Sequence, residues 1–298
     1  PMIQEITLSE TKPSVSSCHT LLDSLQHICL MHGMEVDYYK KLFQTIGNII
    51  VLIEKDDIPK YRLFLENAFP YMDNYNYYKG MNGIIQELTG LLKTKNIGTD
   101  SDRALLLDFQ ATLETKPEKA IKLEKDALAQ IENITADNAR LVSNLHANLG
   151  GLYRMNGHPD LAREHMEKSI SLLDQFNLLH INDSIPQIAN YAMFLTEQQE
   201  PERGISELQK LSGIIKEYHS DDCLDYAKVQ ETLGTIYLMT ANLPQAKTHF
   251  KRAFKIYEKI WADEPEMIEA KYQEIQELYP QVGFFLGQQI SSFLTKQA

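Results

Sequence analysis

The stretch NLGGLYRMNGHPDLAREHM, from Asn148 to Met166, decides the fold because its spacing returns elsewhere in the chain. Positions 149, 150 and 153 hold a large, a small and an aromatic residue, and positions 162 and 166 hold a small and a bulky one. The same classes recur 84 residues later, at Leu233, Gly234, Tyr237, Ala246 and Phe250. A shift of 42 residues in either direction gives weaker copies that begin at Tyr191 and Leu107. Self-similarity at a fixed period of this length indicates a repeat architecture.

Each position of the repeat has a physical reason. The small residues Gly150 and Gly234 allow two helices to approach closely, and the tyrosine three residues after each fills the gap between them. A proline opens the second helix of each pair, where its missing N–H costs nothing. These prolines are Pro117, Pro159, Pro201 and Pro244. The pattern resembles the tetratricopeptide (TPR) signature, and its period of 42 residues resembles that of kinesin light chains. The sequence therefore predicts an all-α fold, a right-handed α-solenoid of antiparallel helix pairs.

The repeat divides the chain into four predicted regions. Residues 1–15 form the tail of a preceding domain or a linker, and residues 16–98 form degenerate helical repeats. Residues 99–264 form four TPR-type repeats of about 42 residues each. Residues 265–298 form a C-terminal helical pair or cap. Its apolar segment FFLGQQISSFL, residues 284–294, suits either a cap on the solenoid end or a contact with a partner.

Composition excludes several classes of function. A net charge of -12 argues against a nucleic-acid partner, because that affinity comes from Lys and Arg neutralising phosphates. The same charge argues against an anionic membrane partner, and no apolar run is long enough to span a bilayer. Cys18, Cys29 and Cys223 are widely spread and form no CxxC pair. They are expected to be reduced thiols in a cytoplasmic protein.

No stretch carries a recognisable catalytic or cofactor motif. Gly150, Gly151 and Gly157 fail the dinucleotide-binding spacing, and there is no Walker lysine, HExxH or GxSxG pattern. We therefore expect no enzyme activity, no cofactor and no metal. The acidic stretches EKDDIPK (residues 54–60) and HSDDCLD (residues 219–225) are expected to be helix caps and solvated helix ends. An all-helical enzyme that uses these carboxylates is the alternative from another class.

The first helix of each repeat is expected to line a concave binding face. The residue before each large/small pair points into that groove, and these residues are Asn148, Asn190 and Thr232. An asparagine amide both donates and accepts, so it can bond the backbone of an extended peptide without reading its sequence. The alternative is that these are exposed helix asparagines with no binding role. The other predicted partner-binding residues on this face are Asn144, Arg154, Met155, Met193, Lys228 and Glu231. Arg154 would clamp a carboxylate, and the methionines form either an adaptable floor or ordinary packing.

The first residues, PMIQEI from Pro1 to Ile6, resemble the segment that closes the nucleotide-binding module of bacterial STAND-type (NB-ARC) signalling ATPases. This resemblance implies a fragment: the TPR sensor of a multidomain signalling protein, with a nucleotide-binding domain upstream as a further partner. A protein or an extended peptide would then be the ligand. A peptide-pheromone receptor domain and a self-assembling scaffold remain alternatives. The sequence leaves the ligand and the oligomeric state open.

Overall fold

In the computed structural model, the structure describes residues 53–59, 61, 62, 65, 78–181 and 183–280. Within these ranges the regular structure is helical, with no β-strand, which confirms the all-α prediction. A short 3-10 helix, Lys55–Asp57, precedes ten α-helices. They are α1 (Tyr78–Lys95), α2 (Asp100–Leu113), α3 (Pro117–Leu128), α4 (Ala139–Met155), α5 (Pro159–Gln175), α6 (Ser184–Glu197), α7 (Pro201–Tyr218), α8 (Leu224–Met239), α9 (Leu243–Ile260) and α10 (Pro265–Leu278). The segment Pro1–Ile6, Cys18, Cys29 and residues 284–294 lie outside the described residues.

The chain divides into two compact units, residues 1–141 and 142–298. In the first unit α2 packs against both α1 and α3. In the second unit α6 pairs with α7 and α8 pairs with α9, while α6 also touches α8. Gly150 of α4 faces Met166 of α5, so these two helices also form a pair. Helices α4, α6 and α8 are therefore the first helices of successive pairs, and α5, α7 and α9 are the second helices. The domain boundaries drawn from the sequence remain predictions.

Small residues lie where the helices of a pair come closest, as the repeat predicts. A Cβ added at Gly150 would lie 2.6 Å from Cγ of Met166, and one at Gly234 would lie 2.9 Å from Cδ2 of Phe250. In the α6–α7 pair the close-contact glycine lies on the second helix instead of the first. There Gly204 of α7 faces the backbone of α6, with its Cβ position 2.6 Å from the carbonyl oxygen of Ala192. Each pair thus depends on the absence of one side chain.

The turn inside each pair repeats the same geometry. Gly157, Gln199 and Ala241 have left-handed backbones, with φ of 72°, 64° and 59°. The next residue donates its N–H to a carbonyl five residues back, as in a Schellman motif. These bonds are His158 to Tyr153 at 3.0 Å, Glu200 to Leu195 at 2.8 Å and Asn242 to Tyr237 at 2.7 Å. A proline then occupies the first turn of each second helix. This confirms the predicted role of the prolines.

A continuous apolar core joins the second helices to the first helices of the second unit. It extends from Leu173 in α5 through Leu208 and Phe250 to Ile275 in α10. Phe250, Phe254 and Tyr257 of α9 are among the largest fully buried side chains. Since each pair buries its apolar side against its neighbours, the unit is stabilised by contacts between adjacent repeats. None of the described helices is long and apolar enough to cross a membrane.

Candidate protein-binding face

The candidate site is the outward side of α4, α6 and α8 in the second unit, which we call the first-helix face. The three ladder positions predicted from the sequence lie 42 residues apart on these helices. Asn190 is exposed, while Asn148 and Thr232 are half-buried. The Thr232 hydroxyl donates to the backbone oxygen of Lys228 at 3.0 Å. Within the described part of the chain, the Asn190 amide makes no side-chain hydrogen bond.

One end of the α4–α6 contact is held by an amide network. The Nδ2 of Asn144 donates to Oδ2 of Asp183 at 3.1 Å. The Oδ1 of Asn144 accepts from Nε2 of Gln187 at 2.6 Å. Both ends of the Asn144 amide are therefore engaged inside the protein. Asn144 would therefore affect partner binding indirectly, by holding α6 in position against α4.

Beneath Asn144 lies a buried polar cluster that was not predicted from the sequence. The Ser143 hydroxyl donates to Oε1 of Gln187 at 2.8 Å, and Ser169 of α5 bonds the same oxygen. Ser143 and Ser169 are 0% and 1% exposed, so these hydrogen bonds satisfy groups that water does not reach. One departure from the repeat pattern could have predicted this cluster. Gln187 stands where the neighbouring copies have Leu145 and Val229, both fully buried.

The other end of the α4–α6 contact is an ion pair. The Nε of Arg154 donates to Oε2 of Glu197 at 2.8 Å, and its Nη2 donates to Oε1 of the same carboxylate. A two-pronged guanidinium–carboxylate pair fixes both orientation and distance. Arg154, predicted to clamp a partner carboxylate, is thus already occupied by Glu197. A partner carboxylate would have to displace it.

Of the predicted residues on α8, Glu231 is tied to neighbouring helices, whereas the ion pair of Lys228 lies within its own helix. Glu231 accepts from the Tyr257 hydroxyl at 2.6 Å and lies 3.0 Å from Nζ of Lys271 in α10. Burial lowers the pKa of Lys271, but the Glu231 and Glu274 carboxylates outweigh it and raise that pKa above its usual range. Burial and the same Glu231 carboxylate raise the pKa of Tyr257. Lys228 is exposed, with its Nζ 3.8 Å from Asp225.

Between the two locked ends, the middle of the α4–α6 surface is open. A Cβ added at Gly151 would meet no atom within 4 Å. Met193 is half-buried against the core, which agrees with a packing role for its inner atoms. Met155 and Met239, 84 residues apart, are 82% and 45% exposed. The face therefore combines an unengaged amide, an uncrowded backbone and flexible apolar side chains.

The acidic stretches take structural roles where the structure describes them. Asp57 is buried and its Oδ2 accepts from the backbone N–H of Glu54 at 3.0 Å, forming a capping box. Asp221 lies 3.0 Å from Nζ of Lys216, and Asp222 pairs with Lys259. These contacts match the predicted caps and helix ends. No group of three or more metal-binding side chains occurs among the described residues.

Three histidines, His146, His165 and His249, pack between the two helices of a pair. Nδ1 of His146 lies 2.8 Å from Nδ1 of His165, so one ring donates to the other. Burial, then His165 and Lys168, lower the pKa of His146 to about 4. In the α8–α9 pair, Nδ1 of His249 lies 2.9 Å from Oε1 of Gln230. These rings belong to the interior of each pair and not to the first-helix face.

Comparison with known proteins agrees with the repeat. Residues 184–259, which contain α6, α7 and α8 and nearly all of α9, match the tetratricopeptide repeat family. The fold is similar to that of BtubC from P. vanneervenii, with a TM-score of 0.55 and 11% identity, covering 83% of this chain and 90% of that one. It is also similar to a kinesin light chain-type protein of Podosopora anserina with nearly identical TPR-like repeats. There the TM-score is 0.54 at 13% identity, covering 66% of this chain and 94% of that one. No curated protein sequence matches the chain.

Proposed function

We propose that this chain is a protein- or peptide-binding module that holds an extended segment across the first-helix face. The observation that carries the proposal is the middle of the α4–α6 surface. There the exposed amide of Asn190 has no side-chain partner among the described residues, and the neighbouring position at Gly151 is open. TPR-type solenoids present extended concave surfaces of this kind for binding.

The site residues divide into two roles. Asn148 and Asn190 offer amides to the backbone of the bound segment, while Met193 forms the floor and Met155 and Met239 form flexible apolar edges. Asn144, Arg154 and Glu231 position the helices that carry them, through contacts with neighbouring helices, and Lys228 lies exposed at the edge of the face.

Charge on this face favours an uncharged segment at its centre. The Arg154 guanidinium is matched by Glu197, and the Glu231 carboxylate is matched by Lys271. Because each of these charges has an intramolecular counterion, a charged ligand would gain little there and would lose its own hydration. Recognition would then come from backbone amides and apolar side chains.

The test begins with a random peptide library displayed on phage and selected on the immobilised chain. The affinity of the best selected peptide is then measured by calorimetry. Asn148→Ala combined with Asn190→Ala is expected to weaken binding about tenfold, since each lost hydrogen bond contributes about 0.5–1.5 kcal/mol. An unchanged affinity in the double variant would show that the amide ladder takes no part in binding.

A second pair of variants tests the location by filling space. Gly151→Leu puts a side chain into the open position, and Gly213→Leu does the same on the exposed side of α7. Neither glycine has an atom within 4 Å of its Cβ position, so both variants should fold. We expect Gly151→Leu to block the selected peptide and Gly213→Leu to leave its affinity unchanged. If both variants changed the affinity equally, the peptide would not bind at the first-helix face.

We also propose that the module is the ligand-sensing region of a multidomain bacterial STAND-type protein, in which ligand binding alters the contact with a nucleotide-binding domain. The support for this assignment is the resemblance of Pro1–Ile6. Sequencing the complete open reading frame tests it directly. A P-loop module encoded upstream would support the assignment, and a frame without one would refute it while leaving the peptide-binding proposal intact.

A further inference from the structure

Helix α9 differs in charge from the chain that carries it. It has five cationic residues and one carboxylate, Glu258, so its net charge is +4, whereas that of the whole chain is -12. Four of the cations are lysines spaced four residues apart: Lys247, Lys251, Lys255 and Lys259. All four are exposed. We call these residues the lysine stripe.

The stripe is a continuous feature of one helix side. Residues four apart on an α-helix lie about 6 Å from each other along the axis, so the stripe extends over roughly 18 Å. That spacing matches carboxylates four residues apart on an acidic helix. It also comes close to the spacing of alternate residues, about 6.8 Å, on an extended strand. The stripe therefore has the geometry of a docking surface for a short acidic segment.

The repeat itself does not require these lysines. The equivalent positions on α5 hold Arg163, Glu167, Ser171 and Gln175. On α7 they hold Ile205, Gln209, Gly213 and Glu217. Of these three second helices, only α9 has a cationic residue at all four positions. Packing of the pair thus leaves these positions free, and the charge needs a separate explanation.

Intramolecular contacts account for only part of the positive charge. Lys259 pairs with Asp222, and the guanidinium of Arg252 lies 3.9 Å from Asp221. Within the described residues, Lys247, Lys251 and Lys255 have no ion-pair partner. Like charges four residues apart destabilise an isolated helix slightly, so three unpaired lysines are a small cost that an acidic partner would relieve.

We propose that the lysine stripe docks an acidic segment of a partner protein, on a side of the repeat separate from the first-helix face. The acidity of the rest of the chain limits the alternatives. A long nucleic acid or an anionic membrane would extend beyond a stripe of roughly 18 Å and meet the negative remainder of the protein. A short acidic segment contacts the stripe alone.

The probe is a fluorescent poly-L-glutamate of about 20 residues, and its binding is followed by anisotropy at low salt. The test variant is Lys247→Glu with Lys251→Glu and Lys255→Glu. The matched control is Lys116→Glu with Lys119→Glu and Lys122→Glu, which changes the net charge equally at exposed lysines near or on α3. We expect the stripe variant to bind about tenfold more weakly, since exposed ion pairs contribute about 0.2–1 kcal/mol each. The control should change the affinity by less than about twofold.

Additional variants and probes distinguish the possible outcomes of this experiment. The Lys247→Gln, Lys251→Gln and Lys255→Gln variant removes charge without adding repulsion, so it reports on the stripe if the glutamate variant fails to fold. Equal loss in the stripe and control variants would overturn the proposal. So would tighter binding of a short DNA duplex or phosphatidylserine vesicles than of poly-L-glutamate. The peptide selected for the first-helix face should keep its affinity in the stripe variant, so failure of one proposal is distinguishable from failure of the other.

Discussion

The α4–α5 and α8–α9 pairs, which lie 84 residues apart in the sequence, are alike inside and different outside. Inside each pair a tyrosine ring stacks on a histidine, with centroids 5.4 Å apart for Tyr153 and His165 and 5.2 Å apart for Tyr237 and His249. A glycine faces a bulky side chain in both pairs. The interior is therefore fixed by how closely the two helices approach.

Outside, the second helices of the two pairs carry different chemistry. On the α5 side, Arg163 lies 2.6 Å from Glu200, and Arg203 of α7 lies 3.4 Å from Glu167. These contacts join α5 to the following pair. On α9 the equivalent outer positions carry the lysine stripe instead. The difference shows that positions facing solvent are free to acquire a function that the repeat does not specify.

The largest expected effect comes from filling the close contact inside a pair. Gly234→Ala would place a methyl group 2.9 Å from the ring of Phe250, which is fully buried and rigid. We expect a loss of about 2–3 kcal/mol, because overpacking forces the ring or the helices apart. Gly150→Ala should cost a similar amount, because its methyl group would lie 2.6 Å from Cγ of the buried Met166 and 3.3 Å from the carbonyl oxygen of Ala162. Urea unfolding followed by circular dichroism gives both values.

The control for this comparison is Gly213→Ala. No atom lies within 4 Å of its Cβ position, and it is inside helix α7. Alanine there should stabilise the protein by about 0.5–1 kcal/mol, through its higher helix propensity. If Gly234→Ala stabilised the chain as Gly213→Ala does, the close contact in the α8–α9 pair would not exist in solution.

The sequence predicted those features that recur with the repeat. Gly150 and Gly234 were assigned to helix contacts, and Pro159 and Pro201 to the start of second helices, because each residue type reports directly on local geometry. Contacts between repeats were not predictable in this way. The Arg154–Glu197 pair joins residues 43 apart, and neither has a charged equivalent in the α8 repeat. Such a pair depends on the offset between neighbouring helices, which a sequence period alone does not give.

The predicted binding residues show the same limit. Asn190 was placed on the open face from its position before the large/small pair, and it is exposed. Asn144 was placed on the same face, yet its amide is engaged by Asp183 and Gln187. One-dimensional periodicity tells which way a side chain points. It does not tell whether a residue on the next helix already occupies it.

The second prediction concerns pH, because one buried position holds a histidine in the α4–α5 pair and a glutamine in the α8–α9 pair. His146 in the α4–α5 pair has a pKa of about 4, whereas Gln230 holds the same position in the α8–α9 pair. The unfolded chain binds a proton on this histidine near pH 6.5, and the folded chain does so only near pH 4. Stability contributed by the neutral ring is therefore present above about pH 6.5 and is lost as pH falls towards 4.

We expect His146→Gln to reduce this pH dependence. Between pH 7 and about pH 4.5, the wild-type chain should lose about 2 kcal/mol more stability than the variant, because glutamine takes up no proton. His158→Gln is the matched control, since His158 is exposed in the turn between α4 and α5. Urea midpoints at the two pH values give the comparison. A His146→Gln variant that loses as much stability as the wild type would mean that the buried His146 does not set the acid sensitivity.

The smallest expected effect tests the turns of the same two pairs by exchanging their residues. Gly157 and Ala241 occupy the same left-handed position, with φ of 72° and 59°. Only glycine adopts such a backbone without strain, so Ala241→Gly should stabilise the protein by up to about 1 kcal/mol. Gly157→Ala should destabilise it by a similar amount. Backbone strain alone would cause this loss, because no atom lies within 4 Å of the Cβ position and a steric clash is therefore absent. Thermal midpoints that shift in opposite directions would establish that both turns have the same geometry. Shifts in the same direction would mean that the α8–α9 turn relaxes out of the left-handed region in solution.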